Sequence, residues 1–149
     1  MEMVIALGND HAGLELKKEI RRLLENMHIE VLDSGTNTED SVDYPDFGKM
    51  VSEKVAQKQA DRGILICGTG LGMSIVANKV ADIRATLCHD EFTAKMSRLH
   101  NDSNILVLGA RVTPVNKALE IVKIWLNTDF EGGRHSGRLK KIKDLEDRK

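Results

Sequence analysis

The sequence predicts an α/β fold in which helices cover both faces of a five-stranded parallel sheet with strand order 2-1-3-4-5. Three observations predict it. Short β-branched or aliphatic runs alternate with longer amphipathic ones along the 149-residue chain. The short runs are nearly continuous in apolar residues, as strands buried on both faces are. Right-handed crossovers leave few topologies for such alternation, and this order is the default for five such units. It reverses direction between the first and third strands, and sheets of this kind bind ligands at the carboxyl edge there.

Met3 to Leu7 reads as the first strand, followed by the turn Gly8-Asn9-Asp10-His11-Ala12-Gly13. Leu16, Ile20, Leu23, Leu24 and Met27 recur at helical spacing, with lysines and arginines between them. Ile29 to Leu32 is the second strand, and the polar stretch Asp33 to Asp43 a loop. Tyr44-Pro45 opens a helix that is expected to carry Phe47, Met50, Val51 and Val55 inward. Ile64 to Cys67 is the third strand, Gly68 to Gly72 a glycine-rich turn, and Met73 to about Val80 a helix. Arg84 to Cys88 is the fourth strand, Glu91 to about His100 a helix, and Ile105 to Leu108 the fifth strand. Pro114 starts a helix with Val115, Ala118, Leu119, Val122, Trp125 and Leu126 inward. A basic tail begins at about residue 128, breaks at Gly132-Gly133, and offers Leu139, Ile142 and Leu145 to a last short helix. One domain spanning residues 1–149 is expected.

Charge and composition exclude several functions. With 22 basic residues against 23 acidic, the net charge of −1 gives no bulk attraction for nucleic acid or anionic membrane, so any anion site is local. No apolar run approaches the ~20 residues of a membrane span. Met1 to Leu7 lacks a basic region, so no signal peptide is expected. Cys67 and Cys88 form neither a CxxC pair nor a disulfide framework, which suits a reducing cytoplasm. No His/Cys/carboxylate set has zinc-site spacing, and no metal is expected.

The chemistry gathers at the two glycine turns. Cys67 precedes Gly68-Thr69-Gly70-Leu71-Gly72, whose backbone can turn successive N–H groups into one concavity ahead of a helix. Such a nest stabilises an oxyanion, and a thiolate beside it suits proton abstraction alpha to a carbonyl. A small residue closing a buried strand is the competing reading, and locally the two stand level. Cys88, mid-strand without a glycine turn, is read as core. The GxGxG spacing is a poor nucleotide fingerprint, and no GK[ST] follows. Asp10 and His11 at the first turn suit sugar hydroxyls or phosphate, or else a helix cap with a solvated histidine. His100 suits acid–base work at neutral pH, or a favourable charge at a helix end. Arg134 and Arg138, four apart, suit a phosphate dianion, or else belong to a solvated basic tail. His28 and His89 have no partner spacing and are read as structural.

Taken together, the motifs resemble the type B ribose-5-phosphate isomerases and their relatives that isomerise other aldose phosphates. The matching pieces are GNDHAG (8–13), DYPD (43–46), CGTGLGMSIVANK (67–79), RATLCHD (84–90), HND (100–102), LGAR (108–111) and GGRHSGR (132–138). They run in order along nearly the whole chain. Asn9 stands where the commonest version of the first motif has serine. The resemblance implies a Rossmann-like sandwich, a cytoplasmic homodimer or tetramer, and isomerisation of D-ribose 5-phosphate in the pentose phosphate pathway without metal or organic cofactor. It implies Cys67 as the base, Thr69 as its assistant, and the amides of the turn Gly68-Thr69-Gly70-Leu71-Gly72 as the anion hole for the enediolate. His100 is implied to open the furanose ring, with Asp10 helping to handle the ring oxygen and hydroxyls. His11, Arg134, Arg138 and Arg111 are implied phosphate ligands, and Tyr44 and Asn101 line the sugar. His100 and Asn101 are implied to come from the other subunit. Some members place a glutamate base near Met73, and the cysteine here favours the thiolate form. The competing readings are an isomerase of allose 6-phosphate or galactose 6-phosphate, and a non-catalytic receiver or flavin carrier. The receiver would need clustered acids and a lysine that are missing, and the flavin carrier more aromatic rings.

Overall fold

The computed structural model describes residues 2–148. In chain order the elements are β1 (Val4–Asn9), a single 3-10 turn (His11–Gly13), α1 (Leu14–Asn26), β2 (Glu30–Asp33), α2 (Tyr44–Ala56), β3 (Arg62–Cys67), α3 (Leu71–Ala77), β4 (Ala85–Leu87), α4 (Glu91–Asn101), β5 (Ile105–Gly109), α5 (Val115–Asn127) and α6 (Arg134–Asp147). All strand pairings are parallel. Side chains alternate across the sheet, so each strand feeds two cores. Ile5, Leu7, Ile64, Ile66, Leu106 and Leu108 face α1, α4 and α5, with Trp125 fully buried among them. Ala6, Leu65, Cys67, Ile105 and Val107 face α2 and α3.

The strand order is β2-β1-β3-β5-β4, not the expected 2-1-3-4-5. All five residues of β5 are buried, and such a run belongs where both faces are covered. The shorter β4 is half-exposed at Thr86 and Leu87, which fits an edge. The register Cys67↔Gly109 therefore places the turn after β5, not the one after β4, beside Cys67.

Several inward positions also differ. On α2 the helix turns Gly48 to the core, where Met73 and Val76 leave no room for a side chain, and Met50 stands 44% exposed. On α5 Val115 is exposed and Leu119 only partly buried, while Ile121 is fully buried. Lys17 is buried on α1, its Nζ donating to the Thr36 carbonyl at 2.6 Å and Asn37 Oδ1 at 2.6 Å and pairing with Asp33 at 3.3 Å. Asn9, also buried, donates to the Thr36 carbonyl at 3.2 Å, tying the end of β1 to the same loop.

Helix α6 is longer than the expected short helix, and it is tied down near both ends. The Glu131 N–H donates to the Leu99 carbonyl at 3.1 Å, and Lys143 pairs with Asp82 at 2.8 Å. Leu139, Ile142 and Leu145 line a groove of about 410 Å³ against the β4 edge.

Candidate active site

At the carboxyl edge β3 ends in Cys67, which is 5% exposed. The chain then turns through Gly70 at φ +85°, a left-handed conformation that favours glycine. That turn aims the Gly70 N–H at Cys67 Sγ at 3.2 Å. The Leu71 N–H is donated to Thr69 Oγ1, also at 3.2 Å. Two of the loop amides expected to face an oxyanion are thus directed at the loop's own side chains. A Cβ at Gly72 would overlap the Tyr44 ring, so glycine is what lets Tyr44, the first residue of α2, lie against the turn.

Arg111 arrives from the turn after β5. Its N–H donates to the Gly68 carbonyl at 2.9 Å, and its Nη1 would lie 3.2 Å from a Cβ at Gly68. Asp10 arrives from β1, 7% exposed, with Oδ1 accepting the Gly13 N–H at 3.2 Å. It caps the 3-10 turn, as one of its two readings expected, and it also lines the cavity. Asp10, Tyr44, Cys67, Gly68, Thr69, Gly72 and Arg111 enclose about 290 Å³. A larger groove of about 510 Å³ between α4 and α5 is lined by groups such as Phe92, Lys95 and Ile124 and carries no comparable set.

His11 does not line this cavity. It is half-buried, and its Nδ1 accepts the Val42 N–H at 3.2 Å, which leaves the proton of the neutral ring on Nε2. His100, Asn101, Arg134 and Arg138 lie elsewhere. Helix α4 starts after the carboxyl end of β4 and finishes before the amino end of β5, so its last turn sits at the opposite edge from Cys67. The five residues of β5 separate the two edges by ~16 Å. The Glu131–Leu99 bond brings the start of α6 to that same far edge, with Arg134 and Arg138 exposed on its first turns. There His100 stacks on His135, ring centroids 4.2 Å apart.

The end of α4 is held firmly. Arg98, buried, donates to Asp102 Oδ1 at 2.8 Å, the Ser103 carbonyl at 2.6 Å and the Thr128 carbonyl at 3.0 Å. Arg84 donates to the Asn101 and Asp102 carbonyls. Asp102 itself is left-handed at φ 44°. Burial pushes the His135 imidazole below its ordinary range, with the His100 and Arg134 charges acting in the same direction. Burial likewise pushes the Cys88 thiol up, which agrees with its reading as core.

These features define a Rossmann-like α/β sandwich whose cavity opens at the switch between β1 and β3. The family model for ribose/galactose isomerases matches residues 5–142. Ribose-5-phosphate isomerase B of Escherichia coli is 46% identical over 145 residues, 97% of each chain. The ribose-5-phosphate isomerase B structure from Clostridium thermocellum superposes with a TM-score of 0.97 at 53% identity, covering 98% of this chain and 99% of that one. The Mycoplasma genitalium enzyme, solved with bound ribulose-5-phosphate, gives 0.96 at 41% identity over 100% and 99%. The chain belongs to the ribose/galactose isomerase family.

Proposed function

We propose that this protein interconverts D-ribose 5-phosphate and D-ribulose 5-phosphate by proton transfer through an enediolate. The observation that carries the reading is Cys67 Sγ at the head of the glycine turn, pinned by the Gly70 N–H on the wall of the carboxyl-edge cavity. In the aldose-to-ketose direction the Cys67 thiolate takes the C2 proton and returns it to C1, while Thr69 helps a proton pass between O2 and O1. Arg111 and the turn amides not already given to Cys67 Sγ and Thr69 Oγ1 face the developing oxyanion. The proton stays within the substrate–enzyme pair and the redox change is internal to the sugar, so the reaction calls for no external oxidant or reductant, and in this reading Arg111 supplies the positive charge at the oxyanion. Asp10 handles the ring oxygen and hydroxyls, Tyr44 borders the sugar, and His11 stands beside Asp10 for the phosphate.

The remaining groups come from a second copy. His100, Asn101, Arg134 and Arg138 sit a sheet length from their own chain's Cys67, so the working unit of this reading is a homodimer, or a tetramer built of two such dimers, in which they complete the partner's site. His100 then opens the furanose ring, and the two guanidinium forks hold the phosphate. The 60% and 64% exposed Leu71 and Ile75 on α3, just after the loop, are apolar surface for such a contact. The unit is one isomerase domain. Among the described residues no helix is long and apolar enough to cross a membrane, and with two free cysteines we place it in the cytoplasm. The test is turnover of ribose 5-phosphate by the purified protein with EDTA present, beside allose 6-phosphate and galactose 6-phosphate. Preference for the pentose is expected. A hexose preference would reassign the substrate, and no turnover of any would overturn the reading.

A further inference from the structure

His100, Glu131 and His135 converge at the amino edge although 31 and 4 residues separate them in sequence. One donor atom of each lies within 4.8 Å of the other two. The imidazole planes are 18° from parallel. His135 is 3% exposed, and its Nε2 has no hydrogen-bond partner among the described residues. A buried imidazole nitrogen without a partner is costly, and coordination is one way to satisfy it.

We propose that these three side chains form a binding site for a borderline transition-metal dication, of the Zn²⁺, Ni²⁺ or Co²⁺ type. Two imidazoles and one carboxylate are the donors such ions take. Hard cations prefer all-oxygen shells, and the neighbouring Arg134 and Arg138 repel any dication that gains no strong nitrogen bonds. Bonds of ~2.0–2.1 Å in a tetrahedral shell put donors ~3.3 Å apart. The triangle therefore contracts on binding, and the rings swing out of their stack until each lone pair points at the ion. Glu131 is the member that closes it, by rotation of its exposed side chain while its N–H stays on the Leu99 carbonyl. The fourth position is left to water. An ion held there occupies the lone pair of His100, so it inhibits the isomerisation. That consequence rests on the function proposed above, whereas the binding does not.

Co²⁺ titration separates the two. The Cys67→Ala protein removes the thiol at the carboxyl-edge cavity, and visible d–d absorption with calorimetry reads the binding. We expect saturation at one Co²⁺ per chain, weakened at least ~10-fold by Glu131→Gln or His135→Gln on that background. Glu131→Gln is an exposed, isosteric change that keeps the fold. No saturable binding, or affinity unchanged in both variants, overturns the site. In the Cys67 enzyme, Zn²⁺ should inhibit reversibly with EDTA, with an inhibition constant at least ~10-fold weaker in Glu131→Gln. Inhibition indifferent to Glu131→Gln overturns the regulatory consequence and assigns the effect to the thiol. Binding without inhibition upholds the site and overturns the role of His100 in the reaction.

Discussion

Cys67→Ala and His100→Ala should each be nearly inactive alone, yet active when mixed. The two residues stand at opposite edges of one sheet, ~16 Å apart along β5, whereas proton-transfer groups must come within ~2.6–3.2 Å of the atoms they serve. Each proposed site therefore draws Cys67 from one subunit and His100 from the other. Random reassociation of equal amounts makes half of the dimers hybrid. Each hybrid has one site lacking both residues and one intact, so about a quarter of all sites recover. The two variants should be unfolded together in denaturant, refolded by dilution, and assayed for ribose 5-phosphate turnover. Differently tagged chains allow hybrids to be counted by native mass spectrometry. A plateau near 25% of the unmutated rate is expected. Abundant hybrids with no more activity than the parents would confine each site to one chain.

Cys67→Ala should lose ~10²–10⁴ in kcat, or about 3–5 kcal/mol of barrier, while melting close to the parent; a kcat within threefold of the parent would make Cys67 a packing residue. Cys88→Ser should keep the rate and lower the Tm, because it places a hydroxyl at a fully buried position. Arg138→Ala should weaken ribose 5-phosphate binding about tenfold and leave free ribose unaffected, since a charge-assisted contact is worth ~1.5–3 kcal/mol; equal losses on both sugars would assign the arginine a structural role. Lys17→Met should cost about 2–3 kcal/mol in denaturant unfolding, because the Thr36 carbonyl and Asn37 lose a charged donor while Asp33 keeps Arg21.

Periodicity located every strand and helix because the apolar runs are regular and several breaks, at Gly13, Gly35, Gly68, Pro114 and Gly132, carry glycine or proline. It could not rank β4 against β5, since Ala85–Leu87 and Ile105–Gly109 both read as apolar and only packing shows which is covered twice. Nor could it bury Lys17, which falls where the helix wheel meets a loop whose Thr36 and Asn37 supply the partners. Gly48 displaced Met50 from the α2 interface because Met73 and Val76 of α3 already fill that space. Of the candidate site, the Cys67 turn was legible because its residues are contiguous, Asp10 because it stands at the turn after the first strand, and Arg111 only through the family motifs. The cluster of His100, Glu131 and His135 was not, because α4 and the segment before α6 meet through the Glu131–Leu99 bond and no sequence interval encodes that meeting.

The position of β4 has a consequence for synthesis. Among the described residues it pairs with β5 and with no other strand, yet it leaves the ribosome first. Strands β2, β1 and β3 have one another as partners once residue 67 has emerged, but β4 must wait through the whole of α4 without a hydrogen-bonded neighbour. When β5 arrives it inserts between β3 and β4 and completes the sheet from the inside. A chain stopped between Cys88 and Ile105 therefore presents two open edges, that of β3 and a loose β4, to any other chain nearby. Nascent chains halted in that interval should be the ones most in need of a chaperone.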